Sequence, residues 1–432
     1  MRQARLDFLD EACLNLGSDI EPWSVHFEVR VDGSLDAERV RDAVRQAMAI
    51  HPIARARIAD WAATDTRYWW HIPDVPGEPT FSIAECASLE DVDKVRSALQ
   101  SHVPDIRRRG TFEVVLAKSS GGDYLMLNLH HAAGDGMSSY RLMNSIIRNY
   151  AGQPDPVPDF DPVTARNVRK LVGARRLVER AVRLRSLLGH LSISSLDPAR
   201  VAIERGHNEA GYGFHLLKID RDESARIMSA RPDGATVNDL LLAALAVTIR
   251  RWNDAHGKRR RRISITMPFN VRPPEWQYEV IGNFASYVTA HIKRGEQSAL
   301  VAATKAALRR TTTIKTNRTQ GVLVDLLAMG TLLPAGIKAG LIAKRPIVGD
   351  RAVDTAMLSN LGRLANPDVL GGNAVDVTEL WFSPPCTMPM GIGVGAVTVD
   401  GEMFLTVRYR HPQFDAAAAQ EFSDLFREVL RS

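Results

Sequence analysis

Two spacings of apolar residues alternate along this chain, one typical of strands and one typical of helices. The stretch WSVHFEVRV (Trp23–Val31) alternates apolar and polar residues singly, which predicts a half-buried strand. In LDAERVRDAVRQAMAIHP the apolar residues recur every three or four positions, which predicts a helix that Pro52 ends. FEVVLAKSSGGDYLMLNLHH then predicts two strands around a Ser-Ser-Gly-Gly-Asp turn, and GMSSYRLMNSIIRNYAG predicts a helix after them.

The second half repeats this succession of strand and helix patterns. Thr236 and Asp239 have the spacing of a capping box ahead of a long apolar run, ATVNDLLLAALAVTIRRW, which predicts a helix. Asp400 and Gly401 predict the tight turn of a hairpin. Further strands are predicted in FHLLKI, RISITMPFNVRP, EVIGNFASYVTAHIKR and TAMLSNLGRL, and a closing helix in DAAAAQEFSDLFREVLRS. Strand–helix units in both halves predict layers of the α/β class.

The chain divides at Gln153–Ala165, a stretch rich in proline and aspartate with little periodicity. We therefore predict an N-terminal subdomain over residues 1–160, a basic amphipathic linker over 161–210 and a C-terminal subdomain over 211–432. With 432 residues, 45% of them hydrophobic, the chain is long enough to form two compact units.

The excess of positive charge is local. The net charge is +5, and arginine is concentrated in Arg166–Ser186 and Lys258–Arg262. Such clusters suit acidic partners, such as phosphate-bearing ligands, an acidic carrier protein or an anionic membrane face. The amphipathic segment Arg166–Arg185 is a candidate for peripheral membrane contact, for carrier docking, or for plain solvation. This segment or Lys258–Arg262 is also a candidate for binding the phosphates of CoA. No recognition motif accompanies the charge, so nucleic acid is not an expected partner.

Targeting and spanning segments are not evident. The N-terminus lacks the apolar core of a secretion signal. The longest apolar stretch, Val322–Ala343, is interrupted by Asp325, Pro334 and Lys338, which favours a buried helix pair over a membrane span. The three cysteines are far apart and are typical of a reducing cytoplasm. We expect a cytoplasmic protein, with peripheral contact at the inner membrane face as an open alternative.

The segment NLHHAAGDG, at the end of an apolar strand, carries the candidate chemistry. Side chains alternate along a strand, so His130 and His131 point to opposite faces and cannot chelate one metal ion. No metal site is therefore expected. Either both histidines are structural, or one of them is a general base beside a tight turn of small residues. In that turn Asp135 can pair with a cation, and a glycine such as Gly136 lets another backbone or a substrate approach closely.

HHAAGDG matches the HHxxxDG signature of the condensation-domain and CoA-dependent acyltransferase superfamily. This superfamily includes peptide condensation domains, polyketide-associated acyltransferases, wax ester/diacylglycerol acyltransferases and the chloramphenicol acetyltransferase-like fold. The DFGWG and PLW segments are absent, which argues against the plant alcohol acyltransferases and against storage-lipid synthesis. Further segments resemble the family, in order, over about residues 20 to 430: FEVRVDGSLDAERVRDAVRQAMAIHPIARARI, TVNDLLLAALAVTIRRW, MPFNVRP, IGNFASYV and SNLGRL.

The resemblance implies two chloramphenicol acetyltransferase-like subdomains, arranged as a pseudo-dimer around a central tunnel. His131 would be the general base, taking the proton from an acceptor hydroxyl or amine that attacks a thioester. Ser359, Asn360 or a backbone N–H near Gly136 would stabilise the oxyanion. Ser359 and Asn360 suit a simple turn equally well.

Other motif residues would have supporting roles. The resemblance implies an ion pair between Asp135 and Arg272 that is structural rather than catalytic, and costly to break from one side. His130 would support the strand. Asn283, in the segment IGNFASYV, would line the tunnel or form a turn.

The function implied is that of a stand-alone bacterial-type acyltransferase. It would need no metal and no bound redox cofactor, and acyl-CoA or acyl-phosphopantetheine would be the co-substrate. The acceptor would be a small molecule or a lipid, an acyl carrier protein could present the donor, and a monomer is expected. Two alternatives stay open: a peptide-type condensation enzyme acting on carrier-bound substrates, and a non-catalytic homologue that binds a carrier or a membrane.

Overall fold

The structure, a computed structural model, describes residues 1–18, 20–173, 178–179, 181–185, 197–276, 279–317, 321–322, 327, 330–343, 353–364 and 376–432. Its α-helices are α1 (Phe8–Leu16), α2 (Ala37–Ile50), α3 (Leu89–Gln100), α4 (Gly136–Ala151), α5 (Val168–Val172), α6 (Arg221–Ser229), α7 (Val237–Ala255), α8 (Leu300–Thr316), α9 (Ala335–Ala343) and α10 (Ala416–Arg431). Its strands are β1 (Arg2–Arg5), β2 (Ser24–Val31), β3 (Arg57–Ile58), β4 (Trp69–Ile72), β5 (Phe81–Cys86), β6 (Phe112–Ser119), β7 (Tyr124–His130), β8 (Tyr212–Ile219), β9 (Ile263–Asn270), β10 (Ala285–Ile292), β11 (Ala356–Arg363), β12 (Val377–Ser383), β13 (Ile392–Val399) and β14 (Glu402–Arg410). Short 3₁₀ turns cover Pro52–Arg55, Thr164–Arg166, Pro274–Trp276 and Arg294–Glu296.

Three sheets organise the described part of the chain. One has the order β12–β2–β7–β6–β5, another β10–β9–β11–β13–β14–β8, and a small one β1–β4–β3. Most neighbouring strands are antiparallel, but β5 runs parallel to β6, and β11 runs parallel to β9 and β13. Helices α2 and α4 pack on the five-stranded sheet, and α7, α8 and α10 pack on the six-stranded sheet. The predicted α/β architecture of two layered subdomains is confirmed.

One strand of the five-stranded sheet comes from the second half of the sequence. β12 comes from the second half of the sequence, yet it pairs antiparallel with β2 along Val377–Ser383 and forms an edge of the five-stranded sheet. The five-stranded sheet therefore draws strands from both halves of the sequence. The division into residues 1–160, 161–210 and 211–432 stays a prediction.

Strand β2 is buried on both faces, which corrects the half-buried strand predicted from its alternation. One face joins the hydrophobic core, and the other carries Glu28. Arg96 of α3 donates two hydrogen bonds to that carboxylate, at 2.6 and 2.8 Å. Burial alone would raise the pKa of Glu28, but the Arg96 guanidinium lowers it to about 2. Alternation reports only the polarity of a face, and here a helix supplies the partner that lets the polar face be buried.

Local sequence signals correctly predicted where α7 begins and where the chain turns between β13 and β14. The side chains of Thr236 and Asp239 each accept a hydrogen bond from the backbone N–H of the other, which forms the predicted capping box of α7. Asp400 and Gly401 have φ values of 50° and 83°, as a type I′ turn between β13 and β14 requires.

Two arginines of the basic linker are buried, so these two do not lie on the solvated or contact face predicted for the segment. Arg166 lies 2.8 Å from Asp10 in an ion pair, and Arg183 lies 3.0 Å from Glu179. Each cation is thus neutralised within the chain. Residues 174–177, 180 and 186–196 of the same segment lie outside the described residues.

The second basic cluster is partly neutralised as well. Arg260 and Arg261 pair with Asp254 and Asp197, so fewer of the charges in Lys258–Arg262 are available to an acidic partner than the sequence suggested.

Only part of the apolar stretch Val322–Ala343 is described. Its last residues form α9. Positions 323–326 and 328–329 lie outside the described residues, and they include most of the first helix of the predicted pair. In the part of the chain that the structure describes, no helix combines the length and the apolar character needed to cross a bilayer.

Candidate active site

The motif histidines lie where strand β7 leads into helix α4. β7 ends at His130, and a tight turn connects it to α4, which begins at Gly136. Asp135 caps this helix, because its carboxylate accepts a hydrogen bond from the backbone N–H of Ser138 at 3.0 Å. His131 therefore lies in the turn, beyond the end of β7, and its imidazole meets residues of the second subdomain.

His131 is buried between the two subdomains. In the first, Trp23 stacks on the imidazole with 6.1 Å between ring centroids. In the second, Tyr287 of β10 places its hydroxyl 3.1 Å from Nε2. Burial lowers the pKa of His131, although its own backbone, Asp135 and Asn283 oppose this effect. The ring is therefore neutral at neutral pH, which is the form in which a histidine acts as a base.

Asn283 contacts the opposite nitrogen of the same ring. Its Oδ1 lies 3.1 Å from His131 Nδ1. Its Nδ2 donates to the carbonyl of His131 at 2.6 Å and to Asp10 Oδ1 at 3.0 Å. Arg166 in turn donates to Asp10 Oδ2 at 2.8 Å. Asn283, which was predicted to line a tunnel or form a turn, lies directly against the motif imidazole.

Cys13 is a further neighbour of this nitrogen. Its Sγ lies 3.6 Å from His131 Nδ1. Burial raises the pKa of the Cys13 thiol, so the group is protonated and is not a ready nucleophile.

Asp135 and Arg272 form the ion pair that the family resemblance implied. Arg272 Nη2 donates to Asp135 Oδ1 at 3.0 Å, and both side chains are buried. The second carboxylate oxygen accepts from the backbone N–H of Phe284 at 2.9 Å. Burial alone would raise the pKa of Asp135, but Arg272 and the backbone donors lower it. The pair thus fastens the turn before β10, which carries Asn283, onto the start of α4.

Gly136 is closely packed against two side chains. A Cβ at this position would lie 2.7 Å from Phe382 of β12 and 2.8 Å from Leu361 of β11. The groups that pack here are side chains of two strands from the second half of the chain, so the close approach of another backbone or of a substrate stays a prediction.

His130 has a local contact. Its Nδ1 accepts a hydrogen bond from the backbone N–H of Ala132 at 3.1 Å. Burial and the neighbouring His131 lower the pKa of His130 to about 4, so this ring is neutral. Its supporting role stays a prediction.

The two side-chain oxyanion candidates lie on β11 and face opposite sides. Ser359 is buried and shares its strand face with Met357, which belongs to the core cluster of the motif subdomain. Asn360 points the other way, and its Oδ1 accepts from the backbone N–H of Gly362 at 2.8 Å. Of the two, only Ser359 lies on the face directed toward the motif.

Sequence reasoning missed four neighbours of the motif: Asp10, Cys13, Trp23 and Tyr287. Asp10 had no distinguishing signal, because a buried aspartate and a surface aspartate occupy the same polar side of a helix pattern. Tyr287 had a weak sequence signal, because it follows Asn283 by four residues on a strand that was predicted from its alternation.

Metal-ligand geometry occurs elsewhere. Within the described ranges, His207, Glu209 and His411 form the group of potential metal ligands whose ligand atoms lie within 4.8 Å of one another. This group shares no residue with the motif.

Known proteins resemble this chain over most of its length. A family model described as the condensation domain matches residues 15–322, which include the motif and Asn283. The uncharacterised protein Rv2305 of Mycobacterium tuberculosis H37Rv is 39% identical over 429 residues, covering 99% of this chain and 98% of its own.

Solved structures share the fold at low identity. The TRI3 trichothecene 15-O-acetyltransferase of Fusarium sporotrichioides superposes with a TM-score of 0.72 at 10% identity, covering 99% of this chain and 95% of its own. The first condensation domain of the calcium-dependent antibiotic synthetase, solved with a substrate analogue, reaches 0.71 at 12% identity, covering 100% and 96%. The HHxxxDG motif at the subdomain junction, the two-subdomain fold and the family match together establish that the chain belongs to the condensation-domain family.

Proposed function

We propose that the protein is an acyltransferase that moves an acyl group from a thioester to a hydroxyl or, less readily, an amine, with His131 as the general base. The observation that carries this proposal is the buried, neutral imidazole between the subdomains, whose Nε2 faces the hydroxyl of Tyr287. During transfer an acceptor hydroxyl would take the place of the Tyr287 phenol at Nε2, because the single lone pair of that nitrogen accepts one proton.

The reaction proceeds by direct transfer. The acceptor oxygen attacks the thioester carbonyl carbon while its proton passes to His131 Nε2. The tetrahedral oxyanion then collapses, the carbon–sulfur bond breaks, and the leaving thiolate takes the proton from Nε2. The products are an ester and a free thiol, and the imidazole returns to its neutral form. No covalent bond to the enzyme is needed.

The oxyanion needs a hydrogen-bond donor in the subdomain junction. Ser359 is the better of the two side-chain candidates, because it shares the strand face that meets the motif subdomain. The first backbone N–H groups of α4, at Gly136, are a second source, because the start of a helix presents N–H groups without partners inside the helix. Asn360 is a weaker candidate, since its amide oxygen is engaged with Gly362.

The thioester can be acyl-CoA or a carrier-bound acyl-phosphopantetheine. The peptide condensation alternative shares the same base and the same chemistry, and the solved condensation domains favour it as much as TRI3 favours O-acyl transfer. The identity of the thioester donor, acyl-CoA or a carrier-bound acyl group, therefore distinguishes the two functions.

Thiol release from a panel of short- to long-chain acyl-CoAs, with mixed alcohol and amine acceptors, tests the proposal. We expect acceptor-dependent release that falls by about 10²-fold or more in a folded His131→Ala protein, since a positioned base contributes about 10²–10⁴. Release only from acyl-phosphopantetheine on a carrier protein would select the condensation alternative. Failure with both donors would reject the acyltransferase proposal.

A further inference from the structure

We propose that Asn283 and Asp10 are positioning residues that hold the His131 imidazole in its Nδ1–H tautomer, so that the unprotonated Nε2 is the base. This inference rests on the proposed role of His131. It assigns to Asp10, a residue outside the motif segments, a defined task in preparing the base.

The orientation of the Asn283 amide is set by its own donors. Nδ2 has two acceptors, the carbonyl of His131 at 2.6 Å and Asp10 Oδ1 at 3.0 Å. Neither acceptor could bond to an amide oxygen, so the amide cannot be reversed without losing both contacts. Oδ1 must then be the atom that faces the imidazole.

That assignment decides the tautomer. An amide oxygen only accepts, so the 3.1 Å contact between Asn283 Oδ1 and His131 Nδ1 is a hydrogen bond only if Nδ1 carries the proton. In the other tautomer two lone pairs would face each other in a buried site. Asn283 thereby holds His131 at two points, the ring nitrogen and the backbone carbonyl.

Asp10 keeps the amide in place. Its Oδ2 accepts from Arg166 at 2.8 Å and from the backbone N–H of Asp7 at 3.1 Å, which leaves Oδ1 directed at Asn283. Burial raises the pKa of Asp10, although the ion pair with Arg166 and the hydrogen bond from Asn283 oppose this effect. The carboxylate charge also raises the pKa of His131, so Asp10 influences both the orientation and the basicity of the ring.

The far side of the ring is consistent with the same tautomer. Tyr287 lies 3.1 Å from Nε2, and burial raises the pKa of its phenol well above the ordinary value. A phenol that keeps its proton can donate to Nε2, and this requires an unprotonated Nε2. Asn283 thus selects the tautomer, and Tyr287 at Nε2 is compatible with it, as is the Cys13 thiol, whose sulfur can accept from the Nδ1–H at 3.6 Å.

The first test uses no substrate. Histidine labelled with ¹⁵N is observed by NMR at pH 8, and the His131 signals are identified by their loss in His131→Gln. We expect the wild type to show a single Nδ1–H tautomer and Asn283→Ala to show a mixture. An Nε2–H tautomer in the wild type, or an unchanged tautomer in Asn283→Ala, would overturn the inference.

A matched control separates positioning from general damage. Asn253 is also a buried asparagine, near the end of α7. Its Oδ1 accepts from the backbone N–H of Ala202, and its Nδ2 donates to the carbonyl of Arg200. Asn253→Ala should lower stability but leave the His131 signals unchanged. If Asn283→Ala fails to fold, Asp10→Asn takes its place, and an unchanged His131 titration in that variant would count against the inference.

The second test reads the pH profile of thiol release with the best acyl donor. Removing the charge of Asp10 should lower the pKa of His131, so the acid limb of kcat/KM in Asp10→Asn should move to lower pH. Asn283→Ala should lower kcat by about tenfold or more, within the contribution of a general base. Failure of every acyl donor would reject the proposed function. The NMR test needs no substrate, so it would still decide the tautomer of His131.

Discussion

The acid–base behaviour of His131 follows from its burial. Desolvation lowers its pKa below the ordinary value, and only the neutral ring can accept a proton. We therefore expect kcat/KM to be constant around neutral pH and to fall only as the pH drops through the lowered pKa, below about 6.5. Measurement of kcat/KM for thiol release from pH 5 to 9 checks this. An acid limb centred above about 7 would contradict it.

Asp135 has a structural task that can be measured apart from activity. Its removal leaves Arg272 buried without its carboxylate and frees the turn at Phe284. Asp135→Ala should therefore lower the free energy of unfolding by about 3–5 kcal/mol, measured by urea denaturation.

Asp415 provides the control for that change. It caps α10 as Asp135 caps α4, but its ion pair with Arg205 is exposed. Asp415→Ala should cost about 1 kcal/mol, the usual effect of losing a cap. Equal losses in the two variants would mean that the Asp135–Arg272 pair adds nothing beyond capping.

At the scale of elements, the passage of β12 beside β13 leaves no room for a side chain at Gly395. A Cβ there would lie 2.0 Å from the carbonyl oxygen of Phe382, whereas a Cβ on Gly393 of the same strand would lie 3.3 Å from Cys386. Gly395→Ala should lower the free energy of unfolding by about 1–3 kcal/mol, as overpacking does. Gly393→Ala should cost clearly less, by the same urea measurement. A larger loss of stability in Gly393→Ala than in Gly395→Ala would contradict the packing of β12 beside β13.

At the scale of the whole molecule, the subdomains are interlocked by more than β12. Arg408 of β14 is fully buried and donates to the carbonyls of Ser24, Pro384 and Gln100, at 3.0 to 3.3 Å. These acceptors lie in or beside the elements of the first subdomain. Neither subdomain can therefore separate without breaking buried hydrogen bonds.

We expect one cooperative unfolding transition as a result. Tryptophan fluorescence and far-UV circular dichroism should give superimposable urea curves, because neither subdomain is complete without the other. Arg408→Met should lower the free energy of unfolding by about 1–3 kcal/mol for each carbonyl left without a donor. Arg309→Met, which removes an exposed cation paired with Glu296, is the control and should have little effect. Two separate transitions in the wild type would contradict the interlocked arrangement.

The sequence by itself determined the elements that depend on neighbours along the chain. The capping box at Thr236, the hairpin turn at Asp400 and the helix after the motif arise from contacts within a few residues, and their patterns are therefore visible in the sequence. The motif also pointed to His131, because residue types at fixed spacing carry the family resemblance. The pairing of Asp135 with Arg272 followed from that resemblance and not from local pattern.

Only the tertiary structure decided which distant groups surround the imidazole. His131 and Asn283 are 152 residues apart, and Asp10 and Asn283 are 273 apart, so no periodicity connects them. The burial of Arg166 and Glu28, and the entry of β12 into the first sheet, also depend on partners from remote segments. A polar residue has the same pattern whether it faces water or a buried partner, and the packing of the two subdomains alone distinguishes these cases.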